Sequence, residues 1–415
     1  MKAKYYSLFL SFLILLGLAF YYFSISQNFP KPLVFWKFYV GDVIGSSPVI
    51  GDVNGDGFLD IIFGCDNGCL YAINGINGSL IWKFKTNGFI QSSPALIDFN
   101  GTIYIVFGSY DGNIYLLFGL NGSPVWVYPT RNAIYSSPLI IFNDQSFLIV
   151  QLSSDGYLYF INGLSGKLVK RIYVGYSDSS PSYFDVDGDN VSEVIVFGNS
   201  KLYVIDLKDY SINSTMNFYG NPESSPVVYD VNNDGFGEIF IGYMGVYCLS
   251  YSKRGVLWKF GEYYTMSTPA LGDIDMDGIL EIVIGLGQYI TVLKSTNGTL
   301  LWSYKTRFNV DSSPVIGDID GDGFPDIVIG SNDFHVYALK GIDGSVIWIF
   351  KTNGVVGISP ALGDIDNDGI IEVIVGGDDG YIYALKTPGA KPCGNIIWPC
   401  FKGNSFHTGS LNNTN

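Results

Sequence analysis

At 415 residues the chain is long enough for two or three ordinary domains or for one large repeat array. Its formal charge of −15, with no cluster of Lys or Arg, argues against nucleic acid as a partner. With 47% hydrophobic residues it is too apolar for disorder, and its 51 glycines beside 30 tyrosines and 29 phenylalanines point to many short strands and turns.

The chain opens with Lys2 and Lys4 ahead of an apolar run from Tyr5 to about Ile25. A spanning helix needs roughly 20 apolar residues, so this run is long enough. Residues 1–28 therefore read as a hydrophobic helix that is either a signal peptide or a signal anchor. Ser24 and Ser26 offer a cleavage spacing, whereas the length of the run favours an anchor. Either form puts the body of the protein outside the cytoplasm, at the cell surface or secreted, with the membrane reached through this segment. Cys65 and Cys69 flank Asp66-Asn67-Gly68, a hairpin turn that would allow a local disulfide. Cys393 and Cys400 offer a second pair and Cys248 is left over; connectivity is open. Seven Asn-x-Ser/Thr sequons, starting at Asn77, permit glycosylation.

From there the chain repeats. A proline preceded by Ser or Thr recurs at Pro48, Pro94, Pro138, Pro181, Pro226, Pro269, Pro314 and Pro360, at spacings of 43 to 46 residues. Each unit reads alike: a short strand after the proline, an acidic loop, an apolar strand ending in glycine, an Asp-Gly or Asn-Gly turn, an alternating strand, a second turn, and a strand carrying tryptophan. Four antiparallel strands make one propeller blade. Such a sheet has two apolar faces and must stack on its neighbours until the ring closes. The expected fold is thus all-β, a single eight-bladed β-propeller over 33–388, with a closing tail at 389–415. Phe35-Trp36-Lys37-Phe38 matches the last strand of a unit, Ile81-Trp82-Lys83-Phe84, and the unit at Pro360 lacks that strand. The N-terminal strand is therefore predicted to complete blade eight, with Ile396-Ile397-Trp398 competing for the slot. Trp36, Trp82, Trp126, Trp258, Trp302, Trp348 and Trp398 fall on this strand position or its equivalent and read as inter-blade packing.

Six units carry Asp-x-Asp/Asn-x-Asp with Asp or Glu four residues later. The sets are Asp52, Asn54, Asp56, Asp60; Asp185, Asp187, Asp189, Glu193; Asp230, Asn232, Asp234, Glu238; Asp273, Asp275, Asp277, Glu281; Asp318, Asp320, Asp322, Asp326; and Asp364, Asp366, Asp368, Glu372. Alternate side chains of a tight loop turn toward one point, and the carbonyl at loop position seven adds an oxygen. Calcium takes six to eight oxygens at about 2.3–2.6 Å in irregular geometry, which suits such a loop. An EF-hand needs glutamate at position twelve, where the first loop has Phe63 in a strand. Converging carboxylates repel one another without a cation. The loops hold 22 of the 38 acidic residues, and six calcium ions would bring the charge from −15 to −3. The units at Pro94 and Pro138 lack the loop.

These loops, with Phe63-Gly64, Phe107-Gly108 and Phe197-Gly198 after the strands, resemble FG-GAP repeats of the integrin α-chain type. Tyr71-Ala72-Ile73 through Gly78-Ser79-Leu80-Ile81-Trp82-Lys83-Phe84 is similar to the tryptophan-docking repeat of PQQ-binding-like propellers. The resemblance covers roughly 33–410 and implies a propeller with calcium at the six loops. Such repeats occur in adhesion proteins, scaffolds and some enzymes. His335 and His407 are the only histidines, and neither has a nucleophile or carboxylate partner in sequence. No nucleophile elbow, phosphate loop or Cys/His metal set is present. The expected function is a non-catalytic, calcium-binding surface scaffold for a protein or glycan partner. The alternative is a calcium-dependent polysaccharide lyase or quinoprotein-type dehydrogenase. A cluster of non-repeat polar residues at the channel mouth would favour an enzyme.

Overall fold

The computed structural model describes residues 29–411 apart from 144, 219, 393 and 394. The N-terminal hydrophobic helix expected over 1–28 lies outside the described residues. Among those described, no helix is long and apolar enough to cross a membrane.

Each proline-led unit forms one antiparallel sheet, and there are eight sheets. In blade seven the strands are Val315–Gly317, Asp326–Ser331, His335–Lys340 and Val346–Lys351, in that order from the inside outward. Second strands such as Asp60–Gly64 and Glu372–Gly376 are buried throughout, because neighbouring blades cover both faces. That is why they read as unbroken apolar runs. Outermost strands such as Leu80–Lys85 are mostly exposed and carry the lysines. Blade five departs slightly, since its second and third positions merge through Gly245, at φ +112°, into one run Glu238–Ser250.

The N-terminal strand Leu33–Tyr39 closes the ring. It pairs antiparallel with Tyr381–Lys386, Trp36 opposite Ala384 and Tyr39 opposite Tyr381. Its competitor Ile396–Trp398 goes elsewhere, onto the inner edge of blade seven, with Trp398 opposite Ile316. Trp398 is therefore not an equivalent of the other tryptophans. The remaining six dock alike. The indole N–H of Trp36, Trp82, Trp126, Trp258 and Trp302 donates to a backbone carbonyl of the next blade, at Gly75 (2.5 Å), Gly119 (2.7 Å), Gly163 (2.6 Å), Ser295 (3.1 Å) and Gly341 (2.7 Å). Trp348 donates to Thr387 Oγ1 at 2.9 Å. The ring lies against a turn glycine of the next blade. A Cβ on Gly122 would sit 2.6 Å from the Trp82 ring, and φ there is +67°, so contact and backbone both require glycine. In blades three and four Lys170 and Ser214 stand at this register position.

The residues from Asn395 onward cross the ring, pairing in turn with the innermost strands. Asp318, Leu362, Leu96, Ile140, Tyr183 and Val228 donate their backbone N–H groups to the carbonyls of Asn395, Pro399, Ser405, Phe406, Thr408 and Gly409. The inner edges of six blades, which would otherwise present unpaired donors, are satisfied in this way. Lys402 is fully buried in this segment, and its ammonium donates to the carbonyls of Ser180 and Pro181. Cys65, Cys69, Cys248 and Cys400 are buried free thiols, so no local disulfide joins Cys65 to Cys69. Those two are instead linked by their backbone, Cys65 N–H to Cys69 O at 3.1 Å.

His407 is also buried in the tail, with Nδ1 3.0 Å from the Pro138 carbonyl. A carbonyl only accepts, so Nδ1 carries the proton and the neutral ring satisfies the contact. Burial first, and then Lys402, push its pKa down from 6.5 to about 3. With the folded value depressed, the unfolded chain binds the extra proton between those limits. Stability is then complete above pH 6.5 and falls as pH drops toward 3, by roughly 1 kcal/mol per unit. His407→Gln should flatten the acid limb of a urea-midpoint profile recorded across that range.

Candidate metal centres and the channel mouth

The six acidic loops join each innermost strand to the buried second strand. Their own side chains fold them. In blade four Asp185 accepts the N–H groups of Gly188 (2.8 Å) and Asn190 (2.9 Å), and Asp189 accepts that of Val191 (2.8 Å). Glu193, the first residue of the buried strand, accepts Val186 N–H at 3.0 Å. Blade one repeats this with Asp52, Asp56 and Asp60, and blades seven and eight with Asp318, Asp322, Asp326 and Asp364, Asp368, Glu372. Blades five and six follow with Asp230, Asp234, Glu238 and Asp273, Asp277, Glu281.

Among the described residues, four loops bring three carboxylate oxygens within 4.8 Å of one another: Asp185, Asp187, Glu193; Asp273, Asp275, Glu281; Asp318, Asp320, Asp326; and Asp364, Asp366, Glu372. The position-five residues Asp189, Asp277, Asp322 and Asp368 stand outside these triads. In blades one and five the third position is Asn54 or Asn232, whose amides donate to Asp56 (3.0 Å) and Glu238 (3.0 Å).

The donor set fits a cation. Each triad has only oxygen donors, the chemistry of a hard divalent ion. Glu193 Oε1, Asp273 Oδ1, Glu281 Oε1, Asp326 Oδ1, Asp366 Oδ1 and Glu372 Oε1, drawn from all four of these loops, are buried and accept no hydrogen bond. An orphaned buried carboxylate oxygen is costly unless something positive meets it. Burial raises the pKa of Glu193 to about 8 and of Glu281, Glu238, Glu372 and Asp60 to about 7, with neighbouring carboxylates adding to it. Asp326 rises to about 8 by the same cause.

The other end of each innermost strand faces the central channel, and here the sequence reading missed a device. The motif before each proline is Ser-Ser, with Ser267-Thr268 and Ile358-Ser359 as variants. The first serine ties the loop to its own blade, as when Ser46 Oγ accepts Gly64 N–H at 2.7 Å. The second ties it to the next blade. Ser47, Ser93, Ser137, Ser180, Ser225 and Thr268 each donate a backbone N–H to the following hydroxyl at 2.8 to 3.1 Å, and Ser359 donates to Ser47 Oγ at 3.0 Å. The signal was available in the recurring dipeptide.

Above this ring the repeat stops repeating. The residue immediately before the motif is Gly45, Gln91, Tyr135, Asp178, Glu223, Met266, Asp311 or Gly357, according to blade. These residues, with Tyr110, line a cavity of about 400 Å³ at the channel mouth. Tyr264 donates to Glu223 at 2.6 Å, Tyr176 to Asp178 at 2.8 Å, and Asn332 to Asp311 at 2.6 Å. Asp178 Oδ1 is buried without a partner, and burial raises the Asp178 and Asp66 carboxyls above the ordinary range. No Lys or Arg lines the cavity. His335 does have a carboxylate partner, Asp333 at 3.2 Å, but is not among the residues lining this cavity.

Residues 273–329 and 318–375 match the model of the FG-GAP-like repeat. FG-GAP-like repeats are thus matched over blades six to eight of a β-propeller. Residues 32–125 match the model described as the λ-carrageenase β-propeller domain. No curated protein gives a significant sequence match. Among solved structures, the chain is similar to BamB from Moraxella catarrhalis, at 16% identity and TM-score 0.61, covering 87% of this chain and 99% of that one. It is also similar to Saccharomyces cerevisiae Sqt1, at 12% identity and TM-score 0.65, covering 86% and 100%. Identities this low speak to the fold. The match to FG-GAP-like repeats falls on blades six to eight, three of the four blades whose loops carry a carboxylate at all four positions.

Proposed function

We propose that this protein is a calcium-stiffened propeller held outside the cytoplasm, which binds a glycan at the mouth of its channel and does no chemistry on it. The observation that carries the binding role is the contrast within each repeat. Next to a hydroxyl ring conserved from blade to blade, the residue before it, which lines the cavity, takes six different identities over the eight blades, varying in charge, size and ring. A position freed from the repeat and lining a cavity serves a ligand rather than the fold. Tyrosine rings, carboxylates and small hydroxyls together suit sugar hydroxyls, and an acidic mouth disfavours polyanions. The match of residues 32–125 to a λ-carrageenase propeller domain supports a polysaccharide as the ligand class, and the acidic mouth selects a neutral one over a sulfated galactan. The calcium role rests on the orphaned buried oxygens of the acidic loops.

This cluster of non-repeat polar residues is the feature that would favour an enzyme, and the same mouth supports that second reading, in which raised carboxyls such as Asp178 serve catalysis on a polymeric sugar. A neutral-glycan array probed with the full chain separates the two. Binding lost in Asp178→Asn and Glu223→Gln, without new reducing ends, supports the binder. New reducing ends that vanish in the same variants would establish the enzyme. Retention of a protein partner with no glycan bound would replace the ligand class.

A further inference from the structure

We propose that Lys340 and Lys386 are built-in cations of blades seven and eight, so that these two loops take no calcium while those of blades one, four, five and six do. This rests on the calcium reading of the loops and divides it blade by blade.

What differs between loops is the residue at the end of the third strand. It lies opposite the carboxylate at loop position nine: Asp206 opposite Glu193, Lys294 opposite Glu281, Lys340 opposite Asp326, and Lys386 opposite Glu372. In blade eight the Lys386 ammonium stands 2.7 Å from Asp366, 2.6 Å from Asp368 and 3.1 Å from Glu372. These are the third, fifth and ninth positions of the loop, the oxygens an ion would need. In blade seven the Lys340 ammonium hydrogen-bonds both Asp320 and Asp322 and lies 4.0 Å from Asp326 Oδ1. An ammonium on these oxygens neutralises them and repels an incoming divalent ion. Binding would require expelling the lysine from three carboxylates at once.

The other loops lack such a group. Lys294 of blade six reaches only Asp277, at 3.2 Å, with both side chains about a third exposed, so it stays at the rim. Behind it Asp273 Oδ1 and Glu281 Oε1 have no hydrogen-bond partner and no ammonium beside them, whereas the equally unbonded Glu372 Oε1 and Asp326 Oδ1 of blades eight and seven have one at 3.1 and 4.0 Å. Blade four places a further carboxylate, Asp206, where the lysine would be, deepening the negative site. Blade one has Asn74, a neutral amide 3.3 Å from Asp56 and 3.5 Å from Asp60. Blade five has Ser250, which bonds Ser252 at 3.1 Å.

Native mass spectrometry of the full chain, released from detergent after equilibration in micromolar calcium, counts the ions. The wild type should carry four, the Lys340→Met/Lys386→Met variant six, and Asn74→Lys three. Hydrogen exchange of the wild type with and without chelator needs no variant to fold. Chelation should raise exchange severalfold across 52–60, 185–193, 230–238 and 273–281 and leave 318–326 and 364–372 unchanged. Six ions in the wild type, or equal chelator sensitivity of all six loops, overturns the lysine assignment and leaves the calcium reading intact. No bound ion in any of these proteins at millimolar calcium overturns the calcium reading itself.

Discussion

Chelating calcium should lower the melting temperature by about 10 °C or more. A site holding ligand at 1,000 times its Kd stabilises the folded state by about 4 kcal/mol. One kcal/mol moves Tm by roughly 2–4 °C in a domain of about 200 residues, and less in a larger one. Several loops acting together therefore produce a large shift, readable by calorimetry in about 1 mM calcium against chelator. Magnesium should not restore the loss, because it demands a tighter octahedral shell than these loops offer. Glu193→Gln gives the discriminating variant. Glu193 Oε1 has no hydrogen-bond partner, and burial holds the carboxyl near pKa 8. At pH 7 without calcium it is already mostly protonated, so an amide of similar shape costs little. In calcium the same change removes a charged ligand and lowers Tm. A substitution harmless in chelator and harmful in calcium is the mark of a metal ligand. A melting temperature identical in the two buffers would falsify the metal reading.

Much of this architecture could be read from residues that recur. The period of the prolines fixed the blade count, and the match between Phe35-Trp36-Lys37-Phe38 and Ile81-Trp82-Lys83-Phe84 fixed how the ring closes. Both are local signals, since a strand's partners follow from its place in the unit. The misreadings came from contacts between distant parts of the chain. Trp398 has the apolar neighbours of a fourth strand, yet blade eight was already filled from the N-terminus. It was left to satisfy the open inner edge of blade seven. The Cys65 and Cys69 spacing left a disulfide or a pair of buried thiols open; both are buried thiols across the three-residue turn Asp66-Asn67-Gly68. The acidic loops were legible as loops. Their inequality was not, because the residue that distinguishes them, Lys340 against Asp206, lies about twenty positions later on another strand.

The hydroxyl ring shows the same division of labour. Ser47, Ser93 and their equivalents link each blade to the next by one short bond, so symmetry demands the same residue every time. The adjacent position makes no such bond, and symmetry leaves it free. Constancy marks the frame and divergence marks the site, and both are visible inside a single sequence without any second protein for comparison.

Removing residues 1–40 should have the largest effect of all, loss of cooperative folding near room temperature. The strand Leu33–Tyr39 supplies six register pairs to Tyr381–Lys386 and completes the last blade from the first strand of the chain. Without it, Tyr381–Lys386 becomes an open edge able to pair with another molecule. Trp36 goes too, together with its bond to Gly75 and its packing over Gly78, so the seam between blades eight and one opens. Trp36→Ala alone should cost about 3–5 kcal/mol. That is a large part of the roughly 5–15 kcal/mol that holds a domain together. Leu33→Ser, at a residue 61% exposed, should change stability by no more than about 0.5 kcal/mol. A synthetic peptide spanning 29–41, added to the truncated chain, should restore a single melting transition by taking the vacant edge as an added strand. A truncated protein that melts sharply at the wild-type temperature, or one that the peptide leaves unchanged, would mean that the ring closes through some other strand.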